Sequence, residues 1–266
     1  MLYSKIERRR GIAPALMGQY IPRSRVDTTS QWDNDARLVQ VPGGALMLEG
    51  SLSMPEAARG FVLCAYANQN DQHNVREGYV TIARALHEAG FAVLLVDLLT
   101  SDEKALDLET GFFRSNASIF SQRILGATNW FVQNYETQAQ DYKIGYFAAG
   151  ASAGAALIAA AERPDAVHAV VSCGGRPELA EPYLPSIVAP TLFIVGENDT
   201  EAVNVNRTAL LRLHVDKQLE SITGATDLFG EEGTLAEVAR LALRWFERYL
   251  ASKTWQPNRL DVKGDM

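Results

Sequence analysis

A chain of 266 residues, 47% of them hydrophobic and 21% charged, can bury a full core in one large domain or two small ones. Its formal net charge of −7 gives no general reason to expect nucleic acid or an anionic membrane as a partner. The two cysteines, Cys64 and Cys173, lie in apolar runs and read as buried thiols of a reducing compartment rather than as a disulfide or zinc site, so no metal or cofactor is expected.

Residues 1–36 differ in character from the rest of the chain. Lys5, Arg8, Arg9, Arg10, Arg23 and Arg25 make this end basic, and Pro14 and Pro22 interrupt any long helix. The segment reads as an extension that either folds back on its own domain or clasps a second subunit or an acidic partner. Its opening residues, MLYSKIERRRG, lack the apolar core and cleavage site of a secretory signal, and no apolar stretch is long enough to span a bilayer. A cytoplasmic location is the expectation.

From residue 37 the pattern becomes regular. RLVQVP and ALMLEGSLSMP read as a hairpin around Gly43 and Gly44. FVLCAY at 61–66 is a short buried strand, a helical run follows from Arg76 to His87, and FAVLLVDLL at 91–99 is a fully apolar strand. SIFSQRILGATNWFVQNY has helical spacing, YKIGYFAA at 142–149 is a strand, and the Ala-rich run to Ala161 is a strong helix former. Strands at 166–174, 190–196 and 217–222 then alternate with helices near 203–214 and 235–250. Long apolar strands separated by helices predict an α/β protein with a mostly parallel sheet covered on both faces. The expected organisation is an arm (1–36), one domain (37–252) and a polar C-terminal tail (253–266).

GYFAAGASAG, at 145–154, ends in a literal G-x-S-x-G centred on Ser152, the pattern of a serine nucleophile on a strand-to-helix elbow. Ser152 is otherwise a serine in the first turn of a helix, where its hydroxyl helps occupy free backbone N–H groups.

The order of elements, with IGYFAAG, AALIAAAERPDAV, APTLFIVGENDTEAV and ITGATDLFGEEGTLAEVARLALRWF, resembles the dienelactone hydrolase-like branch of the α/β-hydrolase superfamily over roughly residues 37–250. The resemblance implies an α/β-hydrolase fold whose chemistry needs a nucleophile, an acid, a histidine and an oxyanion hole. It places the acid at Asp199, a position that a turn-forming Asp would also suit. It places Asp227 where relatives carry the histidine, and a carboxylate accepts a serine proton poorly at neutral pH. His73, His87, His168 and His214 are the four histidines, and none follows the acid in a loop at the carboxyl edge of the sheet. Matching the flanks puts Gly150 at the nucleophile position, between Ala148 and Ser152, so either Gly150 or Ser152 occupies the apex. Tyr66, Ala67 and Asn68 fall on the oxyanion loop.

These substitutions together give the expectation of a non-catalytic hydrolase-like protein, a pseudoenzyme acting in ligand or protein binding or assembly. Its vestigial or ligand-binding cleft comprises Tyr66, Ala67, Asn68, Gly150, Ala151, Ser152, Asp199 and Asp227. The alternative is a serine hydrolase of ester, lactone or related acyl bonds using Ser152 in a non-standard triad. Acid–base or lyase chemistry through Asp199, Asp227 and Tyr66 is a third class. A small molecule in the cleft and a homo-oligomeric or protein partner on residues 1–36 are the associations considered, without membrane or nucleic acid.

Overall fold

The computed structural model describes residues 36–67, 73–135, 142–226 and 229–251. Most of the expected arm, the tail from 252, Asn68 and Asp227 lie outside the described residues. Two antiparallel strands, β1 (Arg37–Pro42) and β2 (Met47–Ser53), form the hairpin, closed where the Gly43 N–H donates to the Leu46 carbonyl at 2.8 Å. Six parallel strands follow: β3 (Phe61–Tyr66), β4 (Ala92–Asp97), β5 (Ile144–Ala149), β6 (Val167–Cys173), β7 (Thr191–Gly196) and β8 (Lys217–Ile222). The sheet order is β1-β2-β4-β3-β5-β6-β7-β8, with β2 antiparallel to β4.

The central strands are apolar because both faces are covered. Every residue of β3 and β7 is buried, whereas β8, at the sheet edge, buries only Ile222. Alternation along β3 sends Phe61, Leu63 and Ala65 to one core and Val62, Cys64 and Tyr66 to the other. On the first face lie α3 (Ala117–Asn134) and α4 (Gly150–Glu162); on the second lie α1 (His73–Glu88) and α6 (Thr234–Leu250). In α3 the buried Phe120, Ile124, Ala127 and Phe131 recur at helical spacing, and Phe131 stacks on Phe61 with ring centroids 3.5 Å apart. Under α6, β5 requires glycine: a Cβ on Gly145 would stand 2.7 Å from both Phe246 and Leu250. Helix α5 (Thr200–Arg212) packs beside β7 and β8.

One helix, α2 (Ser101–Thr110), was not among the expected elements. Its start is a capping box, Thr100 accepting the Glu103 N–H while the Glu103 carboxylate accepts the Thr100 N–H. Glu103 also pairs with Arg123 of α3 at 2.5 Å, tying α2 to the body of the domain. No helix among the described residues is long and apolar enough to cross a membrane.

Candidate functional site

At the carboxyl end of β5 the chain turns sharply into α4. Ala149 is still extended (φ −129°, ψ 158°), Gly150 adopts φ 57°, and the helix begins there. Left-handed backbone favours glycine, since a Cβ in that conformation meets the following carbonyl. Gly150 therefore occupies the turn, and Ser152 stands in the first helical turn at 2% exposure. A Cβ on Gly150 would meet nothing within 4 Å, because the turn opens on a cavity of about 280 Å³.

Aromatic residues from α1 and the neighbouring strands wall this cavity. The Tyr66 and Tyr79 rings lie 5.1 Å apart, and Phe147 meets Tyr79 edge-on at 5.6 Å. The Tyr79 hydroxyl accepts the Ala149 N–H at 2.7 Å, binding α1 to the residue before the turn. Burial pushes both phenols above their ordinary range; at Tyr66 the Asp97 charge adds to this, while the Arg76 charge and hydrogen bond oppose it. Ala67, Ala151 and Ser152 line the same cavity, so Tyr66, Ala67, Gly150, Ala151 and Ser152 are brought together.

Asp199 is placed differently. It is the N-cap of α5, and its carboxylate accepts the Ala202 N–H at 2.9 Å. Its loop touches the one that leads toward Asp227: the Asn198 N–H donates to the Ala225 carbonyl at 3.0 Å, and the Asn198 side chain donates to the Gly224 carbonyl at 3.0 Å. A pairing of Asp199 with Asp227, and the placement of Asn68, fall outside the described residues. Among the described residues no cluster of His, Cys, Asp and Glu could hold a metal ion.

The histidines overturn the non-catalytic expectation. Ser53 Oγ and His87 Nδ1 lie 2.8 Å apart, a Ser–His pair that sequence reasoning missed. The reading of a chain without its Ser–His partnership, and the name pseudoenzyme with it, is corrected by this contact. Its partners come from β2 and α1, 34 residues apart and both ahead of the elbow, so the Ser–acid–His chain order concealed them. Ser53 is 1% exposed and pairs with Val93 near the start of β4, at the amino edge of the parallel strands. The elbow is at the opposite edge, roughly 15–20 Å further along the strand direction by the rise of a six-residue strand, and three strands across the sheet. His168 Nδ1 accepts the Ile144 N–H at 3.3 Å; burial, helped by the Lys143 charge, lowers its pKa against a backbone hydrogen bond that raises it. His214 is exposed at the end of α5.

The model of the dienelactone hydrolase family matches residues 70–249. The chain belongs to the dienelactone hydrolase family. A dienelactone hydrolase structure from Anabaena variabilis ATCC 29413 is 43% identical, with a TM-score of 0.74, covering 81% of this chain and 98% of that one. A dienelactone hydrolase-like promiscuous phosphotriesterase from metagenomic libraries, 18% identical with a TM-score of 0.65, shares the fold over 81% of this chain and 98% of its own. Two curated relatives from strains of Mycobacterium tuberculosis, each bearing the name "Putative phosphoribosyl transferase", are 42% identical over 217 residues, which is 80% of this chain. The chain spans 46% of their length.

Proposed function

We propose that this member of the dienelactone hydrolase family hydrolyses ester, lactone or related acyl bonds, with Ser53 and His87 as its Ser–His dyad. The observation that carries this reading is the 2.8 Å contact between Ser53 Oγ and His87 Nδ1. In the tautomer with the proton on Nε2, the Ser53 hydroxyl donates to Nδ1, the arrangement that activates a serine nucleophile. Ser53 Oγ attacks the acyl carbon as its proton passes to Nδ1. Collapse of the tetrahedral adduct breaks the acyl–oxygen bond, and the imidazolium returns the proton to the departing alkoxide. Water, deprotonated by the same imidazole, then attacks the acyl-serine, and as the acyl–Oγ bond breaks the imidazolium returns that proton to Ser53 Oγ, releasing the acid. Because Ser53 is 1% exposed, the acyl group reaches it only when the seam between β2 and α1 parts, and turnover is expected to be slow.

The test is turnover of 4-nitrophenyl acetate by the wild-type chain and by Ser53→Ala, His87→Gln and Ser152→Ala. Losses of about 100-fold or more in kcat/KM for the first two, with Ser152→Ala unchanged, are expected. Equal rates in all four proteins would refute the dyad. A selective loss in Ser152→Ala would support the second reading, in which the nucleophile is the serine that lines the elbow cavity.

Phosphoribosyl transfer, named for the Mycobacterium relatives, is not carried over, since the match to this chain spans 46% of their length. A cytoplasmic location, a single domain over 37–252, and a partner clasped by the basic residues 1–36 complete the proposal.

A further inference from the structure

We infer that β8 is a docking edge for a second copy of this chain, the two strands pairing antiparallel about a two-fold axis at Leu219. The edge lies at the far side of the sheet from β2, which carries Ser53, and stands independently of the reaction proposed above.

The parity of the sheet decides which backbone groups face outward. The Thr191 N–H donates to the Asp216 carbonyl and the Glu197 N–H to the Ile222 carbonyl, both at 3.0 Å, so the even-numbered residues here bond to β7. Lys217, Leu219 and Ser221 therefore turn their N–H and C=O groups the other way, where no described strand pairs with them. Such a row is a template for another strand, and folded chains commonly guard it with a lysine, a proline or a bulge. In β8 the lysine is turned back on its own chain, Lys217 Nζ donating to the Leu213 carbonyl at 2.7 Å. Neither a proline nor a bulge interrupts the strand.

The strand KQLESI is complementary to itself in one register. Outward residues must face outward residues, so the two-fold axis passes through a residue rather than between two. With the axis at Leu219, the two Leu219 side chains meet, Lys217 faces Ser221 of the second copy, and Gln218 faces its Glu220. Gln218 already donates to Glu220 within one chain, and the same amide and carboxylate bond equally well across the pair. An axis at Gln218 would set Asp216 opposite Glu220. An axis at Glu220 would oppose two carboxylates, and one at Lys217 two ammonium groups. Like charges directly opposite destabilise a pair of strands. An axis at Ser221 leaves only Glu220, Ser221 and Ile222 of the strand in the ladder.

The test is sedimentation velocity of the full-length chain from about 1 to 300 μM. A monomer–dimer equilibrium with Kd on the order of 10 μM is expected, since a strand-to-strand contact is small for a specific interface. Ser221→Pro deletes an outward N–H and leaves every bond to β7, so it should fold and raise Kd at least about 10-fold. Ser221→Lys sets two lysines opposite Lys217 and should raise Kd about 2–30-fold; Ser221→Glu sets carboxylates there and should lower it by a similar factor. General repulsion would give the reverse order, because the chain is already at −7 and the Glu variant is the more negative. Ser53→Ala should dimerise as wild type, and circular dichroism confirms that each variant is folded. A monomer throughout the range would overturn the inference. So would a dimer indifferent to all three Ser221 substitutions, which places the contact elsewhere, residues 1–36 included. Slow hydrogen exchange at the Lys217, Leu219 and Ser221 amides of the monomer would overturn it too, by showing the edge covered by a segment of its own chain.

Discussion

Replacing Gly150 by alanine, and Ser152 by glycine, gives a paired test of how the chain turns at the elbow. At φ 57° an alanine at 150 sits in left-handed backbone, which costs roughly 1–2 kcal/mol relative to glycine. No steric term adds to this, since the new Cβ has nothing within 4 Å. Restricting the unfolded chain returns about 0.4–1 kcal/mol. The net is a loss of about 0–1.6 kcal/mol, or a fall of up to about 6 °C in Tm for a domain of this size. Ser152→Gly places glycine in the first turn of α4, where its greater backbone freedom when unfolded costs about 0.5 kcal/mol. Both variants should therefore melt lower than wild type in differential scanning calorimetry. If Gly150→Ala melts higher while Ser152→Gly also gains, Ser152 is at the left-handed apex and the elbow has been placed two residues too early.

Other consequences reach different parts of the domain. Asp199→Ala removes the N-cap of α5 and should cost about 0.5–2 kcal/mol in urea unfolding, leaving Ser53-dependent turnover intact; a neutral effect would mean that the Ala202 N–H finds another acceptor. Glu103 is held below its ordinary value of 4.5: burial raises its pKa, but the hydrogen bonds from Arg123 and Thr100 outweigh it. Because the folded value is the lower one, its contribution is complete above 4.5 and drains away as pH falls through the folded pKa. Glu103→Gln should accordingly flatten the decline of Tm between about pH 5 and pH 3, and an unchanged slope would assign acid sensitivity to other carboxylates. Burial also pushes the Cys64 and Cys173 thiols far above their usual range. Neither should react promptly with Ellman's reagent at about pH 8 in the native protein, and both should do so in guanidinium; fast native reaction would show that the core around them opens.

Much of the architecture was legible because burial on both sheet faces writes itself as unbroken apolar runs. FVLCAY and TLFIVG can satisfy only an interior strand, and the helices between them follow from spacing. Helix α2 was harder, since SDEKALDLET carries no apolar stripe at helical spacing: Leu106 and Leu108 are exposed and only Asp107 is buried. Its readable sign was local: Thr100 followed three residues later by Glu103. At the elbow, small residues at 148, 150 and 152 fit either placement of the turn, and what separates them is backbone conformation, which composition does not encode. The Ser53–His87 contact had no signature at all. Ser53 closes a hairpin strand and His87 lies in the last turn of a helix, and they meet because β2 pairs antiparallel with β4 beneath α1. A search in Ser–acid–His order passes over such a pair, since only tertiary packing brings it together.

The central claim is that Ser53, activated by His87, is the serine that forms an acyl intermediate. It is tested most directly by incubating the protein with a serine-reactive fluorophosphonate and mapping the adduct by peptide mass spectrometry. The dyad predicts one adduct, on the peptide carrying Ser53, lost in Ser53→Ala and strongly slowed in His87→Gln. No adduct, or an adduct on Ser152 that persists in Ser53→Ala, would contradict it.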